Sequence, residues 1–328
     1  SQTAGDWILY RKPVPPEIDE WSHHCHGADG NPVAQDDLVG PPKQMQWLQD
    51  PRWMRSHESD SSLSCLVTAG GRLFYMEDCA PISLSGDNDM PDDWHLTARD
   101  AFNGILLWKI PVREWGWRAW KDSWHAGRGE HGPVNVHRRV VAAGDKLYAT
   151  LGFTAAVSEI DAATGEVLKT YAGTERAREI LIHDGRLYVT VPREDSLGLT
   201  VIDSATGDVV WRSKSGYSGS ANEKSAYPQQ LQPVLNAAVD GDAVCFLNGS
   251  EIVCLDRESG APRWNIQLSA AQGDSPVRRG ASWSSALKVG LLIISDEVVI
   301  YSEPGRVSAF STEDGARLWD LPTVPKYD

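Results

Sequence analysis

The chain has 328 residues, 41% hydrophobic and 23% charged, a soluble globular composition long enough to bury a large core without disulfides. Its formal charge of −14, from 45 acids against 31 bases, sets up a negative field that repels phosphate backbones and excludes nucleic acid as an expected partner. No apolar run approaches the ~20 residues of a membrane helix, so no membrane span is expected, whereas 14 Trp against 5 Phe point to a repeated use of indole.

Residues 1–40 read as an N-terminal extension. The first five residues do not resemble a signal peptide. Residues 5–12 read as an orphan strand, followed by a loop carrying His23, His24, Cys25 and His26. Imidazoles and a thiol are suitable ligands for Zn or Cu, and in extended chain His23 and Cys25 share one side while His24 and His26 share the other. The competing reading is a surface loop whose histidines make hydrogen bonds. Residues 41–49 read as an outer strand carrying Trp47, with no inner strands before it, of the kind that closes a ring of sheets.

From there a unit recurs. Each copy begins with two apolar runs around a tight turn: 66–75, 140–148, 180–188, 237–245 and 286–294, the last with Gly290 as its turn residue. Each continues into an Asp-x-x-x-Gly turn followed four residues later by Trp. The copies are Asp100 to Gly104 with Trp108, Asp203 to Gly207 with Trp211, and Asp256 to Gly260 with Trp264. Ser311 to Gly315 with Trp319 is a variant, and Asp161 to Gly165 is followed by Lys169 where Trp is expected. Asp caps such a turn through its side chain, and Gly supplies the positive φ. A period of roughly 40–60 residues with four strands per unit is the signature of propeller blades. The expected fold is all-β, a β-propeller of four-stranded antiparallel blades at 57–113, 134–174, 176–216, 229–269 and 281–322, within a domain spanning 41–328. Five blades plus one stray strand leave the ring to be completed by another segment or a second chain.

Three irregular stretches lie outside the blades. Residues 85–93 are rich in carboxylate and amide oxygen, which suits Ca²⁺, although no EF-hand spacing is present and a solvated acidic loop explains them as well. The segment after blade 1 carries Trp115, Trp117, Arg118, Trp120, Trp124, His125 and His131. Flat indoles beside Arg and His suit a sugar ring or a planar cofactor, and equally suit a loop packed over the propeller face. This segment and 13–40 both flank blade 1, and the expectation is that they meet on one face as the principal pocket. In blade 4, Cys245 and Cys254 oppose each other if the turn centres on Gly249-Ser250, and could then bridge; a one-residue slip separates them.

The recurrent phrase resembles the tryptophan-docking motif of the PQQ-like, quinoprotein-type propeller repeat family, over roughly residues 41–322. In that family each repeat's Trp stacks on the turn Gly of the next blade. The resemblance implies that Trp108, Trp211, Trp264 and Trp319 are buried docking residues, with Gly104, Gly165, Gly207, Gly260 and Gly315 as seats. It also implies a periplasmic or extracellular location. The stretches 17–23, 30–31, 39–42, 46–47, 51–53 and 57–58 are similar to a bacterial group of PQQ-binding-like propeller proteins. Quinoprotein dehydrogenases of the family use a vicinal Cys pair, a Trp under the quinone, a Ca²⁺ cage and an Asp base. This chain has five Cys and no vicinal pair, which counts against PQQ. The leading expectation is a binding or accessory platform for a glycan or a protein partner. The alternative is a quinoprotein-type oxidoreductase acting on an alcohol or sugar, with a quinone or a metal (Ca, Cu or Zn) at the channel mouth.

Overall fold

The computed structural model describes residues 2–4, 7–9, 15–38, 40, 43–48, 63–80, 93–116, 119, 136–193, 196–214, 216, 235–249, 251–268, 290–303 and 305–323. Five four-stranded antiparallel meanders follow one another along the chain, with a small sheet of Gln2–Ala4 and Trp7–Leu9 before them. Blade 1 consists of Leu63–Ala69, Arg72–Asp78, Trp94–Asp100 and Leu106–Pro111. Blade 2 is Val140–Ala143, Lys146–Thr150, Val157–Asp161 and Val167–Tyr171. Blade 3 is Glu179–His183, Arg186–Pro192, Leu197–Asp203 and Val209–Arg212. Blade 4 is Ala238–Asp240, Ala243–Leu247, Glu251–Asp256 and Pro262–Gln267. Blade 5 is Leu291–Ser295, Val298–Glu303, Arg306–Ser311 and Arg317–Pro322. The five sheets do not close on one another among the described residues.

The turn chemistry follows the sequence. Asp203 Oδ1 accepts the N–H groups of Ala205 and Thr206, Asp161 Oδ1 those of Ala163 and Thr164, and Ser311 Oγ substitutes in blade 5 by accepting from Glu313 N. Each turn glycine has positive φ, for example 84° at Gly207 and 69° at Gly260. Directly after it, the fourth strand slips by one residue against the third in every blade, leaving Leu107, Leu168, Val210, Arg263 and Leu318 as bulges. A bulge re-aims the next side chain, and that next residue is the docking position each time.

Blade 5 departs from the sequence reading at its first turn. Leu291 to Ile294 runs unbroken as the innermost strand, so the hairpin turns at Asp296 and Glu297 (φ 49° and 64°), not at Gly290. Asp296, whose short polar side chain suits the left-handed conformation, and Glu297 adopt it, and the apolar run stays in the strand.

Apolar cores sit at the seams between successive blades. Phe74, Leu96 and Trp108 pack with Leu147 and Ile160 between blades 1 and 2. Equivalent clusters lie between blades 2 and 3, 3 and 4, and 4 and 5. At each seam the indole covers the neighbour's turn: a Cβ built on Gly165 would lie 2.8 Å from Trp108 Cδ2, on Gly260 2.6 Å from Trp211 and on Gly315 2.9 Å from Trp264. Each indole N–H donates to the carbonyl three residues before that glycine: Trp108 to Ala162, Trp211 to Arg257 and Trp264 to Thr312, at 3.0, 2.9 and 2.9 Å.

Three docking positions depart from the expectation, the first being Trp264, which is seated but only half-buried. Trp319 is not buried: it is 40% exposed on the outer strand of blade 5, with no neighbouring turn over it among the described residues. Trp47 is a docking residue as well, seated against Gly104 of blade 1, while blade 5 has a fourth strand of its own. Cys245 and Cys254 are directly opposed in register but remain free thiols, both fully buried.

Candidate functional site

The innermost strands line a central channel, and each leaves one row of backbone groups without a strand partner. A buried N–H of that kind needs an acceptor. Residues 15–38 supply it. Thr68 N of blade 1 donates to Trp21 O at 2.7 Å, and Ala142 N of blade 2 to Ser22 O at 2.9 Å. Ile182 N of blade 3 donates to His23 Nε2 at 3.0 Å. Val239 N of blade 4 donates to Ala28 O at 2.8 Å, and Ile294 N of blade 5 to Asp29 O at 2.9 Å. The five donors occupy the same position in their blades, the second-last residue of the innermost strand. The N-terminal segment is therefore a strap that visits the innermost strands of the blades in chain order.

Four of the strap's acceptors are backbone carbonyls and the fifth is the His23 ring, where a turn at 23–26 interrupts the segment between the second and fourth blades. His23 N donates to His26 O at 3.0 Å, and Ser22 Oγ donates to the same carbonyl. His23 Nε2 accepts from Ile182, so its proton sits on Nδ1, which donates to Ser22 Oγ at 2.7 Å. Burial drives its pKa down to about 3. His26 Nε2 meets Asp19 Oδ2 at 2.6 Å, and Asp19 also accepts from Glu20 N and Gln35 N. Burial raises the thiol of Cys25 above its ordinary range.

These geometries bear on the metal expectation. The lone pair of His23 Nε2 is directed at a backbone N–H, and His26 is committed to Asp19. The ring of His24 lies against His137, with centroids 3.8 Å apart. Among the described residues, no three His, Cys, Asp or Glu side chains are grouped to hold a metal ion.

Beyond the turn, His24 and Cys25 face a polar group that sequence reasoning missed. Arg138 Nη1 meets Glu179 Oε1 at 2.6 Å, and Glu179 Oε2 accepts from Ala237 N at 3.2 Å. Asn236 donates to Gly290 O from its Nδ2. Together they line a cavity of about 20 Å³, room for about one water. Glu179 and Asn236 hold equivalent positions entering blades 3 and 4, and the equivalent residue in blade 2 is the buried Arg139. A charged or amide residue immediately before an apolar innermost strand was the available signal.

At the seam between blades 1 and 2, the connection leaving blade 1 builds a second cavity. Arg139 Nη1 donates to Phe153 O at 2.8 Å, and its guanidinium lies 4.6 Å from the Phe153 ring and 5.9 Å from that of Trp115. Phe153 N donates to Glu114 O, pinning the connection to blade 2. Trp94, Val112, Trp115 and Phe153 wall a cleft of about 590 Å³, with Asp93, Arg113, Glu114 and Thr154 around it. Trp115 is thus at the cleft, as a buried wall. Trp117, Arg118, Trp120, Trp124, His125 and His131 lie outside the described residues. The strap lines the first cavity, and residues 113–115 and 119 line the second; most of 113–136 lies outside the described residues, and with it the expectation of a joint pocket.

A family model described as "Outer membrane protein assembly factor BamB", of the PQQ-like repeat type, matches residues 92–326. No curated protein sequence matches. Among solved structures, quinohemoprotein alcohol dehydrogenase ADHIIG from Pseudomonas putida HK5 is similar at 16% identity and a TM-score of 0.51, covering 93% of this chain and 48% of that one. The quinohemoprotein alcohol dehydrogenase from Comamonas testosteroni is similar at 15% identity and a TM-score of 0.49, covering 83% and 45%. BamB from Moraxella catarrhalis is similar at 13% identity and a TM-score of 0.42, covering 82% and 76%. The chain spans under half the length of the two dehydrogenases. By its repeat, its seams and the family match over most of its length, the chain belongs to the PQQ-like β-propeller family described by BamB.

Proposed function

We propose that the protein is an extracytoplasmic binding platform whose cleft at the blade 1–blade 2 seam takes a glycan. The observation that carries this reading is the cleft itself: about 590 Å³, within the roughly 300–1,000 Å³ of small-ligand sites. Its walls are aromatic, and its edge holds the exposed side chains of Arg113 and Glu114. Apolar sugar faces pack on aromatic walls, while a guanidinium and a carboxylate supply donors and acceptors for hydroxyls. A protein partner engaging the same face is compatible with the family description, whose named member is an assembly factor.

The alternative is a quinoprotein-type oxidoreductase, supported by the fold likeness alone. The two readings separate by titrating the full chain with a panel of oligosaccharides, followed by tryptophan fluorescence and calorimetry. Saturable binding that weakens in Arg113→Ala and Glu114→Ala, with folding unchanged, supports the platform. No glycan binding, together with a bound visible-range chromophore that bleaches on adding an alcohol, overturns it in favour of the oxidoreductase.

A further inference from the structure

We infer that Cys79 and Lys109 form an oxidant-sensing modification site in blade 1, where a hydroperoxide joins the Cys79 sulfur to the Lys109 amine in a reversible S–N bond. The register brings the pair together. Thr97 and Lys109 oppose each other on the third and fourth strands, and directly opposed residues share a face. Cys79 N donates to Asp93 O just beyond the second strand, so Glu77 and Cys79, two residues apart, also share a face. Thr97 Oγ1 donates to Glu77 Oε1 at 2.8 Å, so both pairs lie on one face of the blade. There Lys109 Nζ is 2.8 Å from Cys79 Sγ and 3.3 Å from Glu77 Oε1. Cys79 is half-buried and the Lys109 side chain is 30% exposed, which gives a small oxidant access. Cys65, Cys245 and Cys254 are buried. Cys25 is half-buried too, but its charged neighbours are Arg138, Glu179 and Asp29, none of them a primary amine. Burial raises the Cys79 thiol and the Lys109 ammonium works against that, so the site rests as a thiol and reacts through its minority thiolate.

The thiolate attacks a peroxide oxygen. The S–O bond forms, the O–O bond breaks, and the departing hydroxide is protonated to water; sulfur is oxidised by two electrons and the peroxide reduced by two. The Lys109 ammonium then passes one proton to the Glu77 carboxylate. Glu77 is fully buried, and its Oε2 has no hydrogen-bond partner among the described residues, which leaves an oxygen to take that proton. The neutral Nζ attacks the sulfenic sulfur: the S–N bond forms, the S–O bond breaks, and the hydroxyl leaves as water with a second proton from nitrogen. Contact between the reacting atoms beforehand makes the closure intramolecular. A thiol reverses it by attacking sulfur and giving its proton to the released amine, and a second thiol reduces the mixed disulfide and frees Cys79. The closed link ties the end of the second strand to the outer strand across the third. The inference does not rest on the glycan reading of the cleft.

The test treats the full chain with graded hydrogen peroxide, then digests it without reductant for mass spectrometry. The expected result is a linked pair of peptides containing Cys79 and Lys109, lighter by two hydrogens than the two peptides together. Cys79 should close to iodoacetamide as the pair appears, and dithiothreitol should restore both residues. Lys109→Arg keeps the positive charge without the nucleophilic amine. In that variant the link should be lost, and dimedone should trap Cys79 as a sulfenic acid that the unmodified protein consumes. Three results would overturn the inference: Cys79 still open to iodoacetamide at peroxide levels that have already oxidised Cys25, equal dimedone labelling of Cys79 in both proteins with no linked peptides, or Cys79 joined to another cysteine. The unmodified protein alone gives the first and third readings, so they stand even where the variant folds poorly.

Discussion

Lys169 Nζ donates to Ser204 O at 3.0 Å, the carbonyl three residues before Gly207 and the counterpart of the one each seated indole bonds. The ammonium thus reproduces the polar half of the tryptophan dock. Its stem reproduces the apolar half weakly, since Lys169 Cδ lies 3.8 Å from a Cβ position on Gly207 where the indoles come within 3.0 Å. Tyr171 partly compensates: its hydroxyl donates to Ser204 O at 2.7 Å and meets Glu159 Oε2 at 2.6 Å.

The seams should therefore rank in stability. Trp211→Ala removes a buried indole and should cost about 3–5 kcal/mol. Lys169→Ala removes a partly exposed stem, and Trp319→Ala an exposed ring, so each should cost under about 1 kcal/mol. Chemical denaturation of the three variants checks the order. Trp319→Ala matching Trp211→Ala would mean that blade 5 has a covered edge.

The glycines give a sharper contrast. In Gly260→Ala the new methyl meets Trp211 at 2.6 Å and the backbone is held at φ 69°. In Gly207→Ala only the left-handed φ is strained, costing about 1–2 kcal/mol. Gly260→Ala should be the more damaging by thermal melting, and should red-shift tryptophan emission as the indole leaves its seat.

Much of this was legible because it is local. An Asp side chain capping its own turn, a glycine at positive φ and a docking residue four positions on all lie within nine residues, as in Asp100 to Trp108. What the sequence hid is long-range. Nothing near His23 announces that its Nε2 will accept from Ile182, 159 residues away. Glu179 likewise reads as one of 45 acids until Arg138 and Ala237 are brought to it. The blade 5 turn was misplaced because a glycine signal outranks Asp296-Glu297 in any local reading.

The buried His23 makes stability fall on acidification. Its folded pKa of about 3 lies below the ordinary 6.5, so the neutral ring's contribution is fully present above pH 6.5. As pH falls below 6.5 the unfolded chain binds a proton that the folded chain refuses, and stability drops by up to roughly 1.4 kcal/mol per pH unit until the folded pKa is reached. His23→Gln keeps an acceptor for Ile182 N without a titrating ring, and should flatten this slope. Denaturant midpoints measured from pH 7 to pH 4 on both proteins check it; parallel slopes would remove His23 from the account.

Breaking the ion pair beneath the strap should be costly. Glu179→Ala leaves Arg138 without its carboxylate and Ala237 N without its acceptor, a loss of about 3–5 kcal/mol by analogy with other buried pairs. Arg138→Ala strands the buried Glu179 charge instead. A double variant costing less than the sum of the two singles is the expected outcome of a mutant cycle.

The account rests most heavily on the strap as the hub that joins all five blades, and native-state hydrogen exchange reads that hub directly. The amides of Thr68, Ala142, Ile182, Val239 and Ile294 each donate to the strap segment 21–29. In the unmodified protein all five should be strongly protected. In His23→Ala, which removes one acceptor and loosens the turn that aligns the others, all five should exchange faster together while outer-strand amides do not. Faster exchange at Ile182 alone, with the other four unchanged, would contradict the hub and reduce the strap to a set of independent contacts.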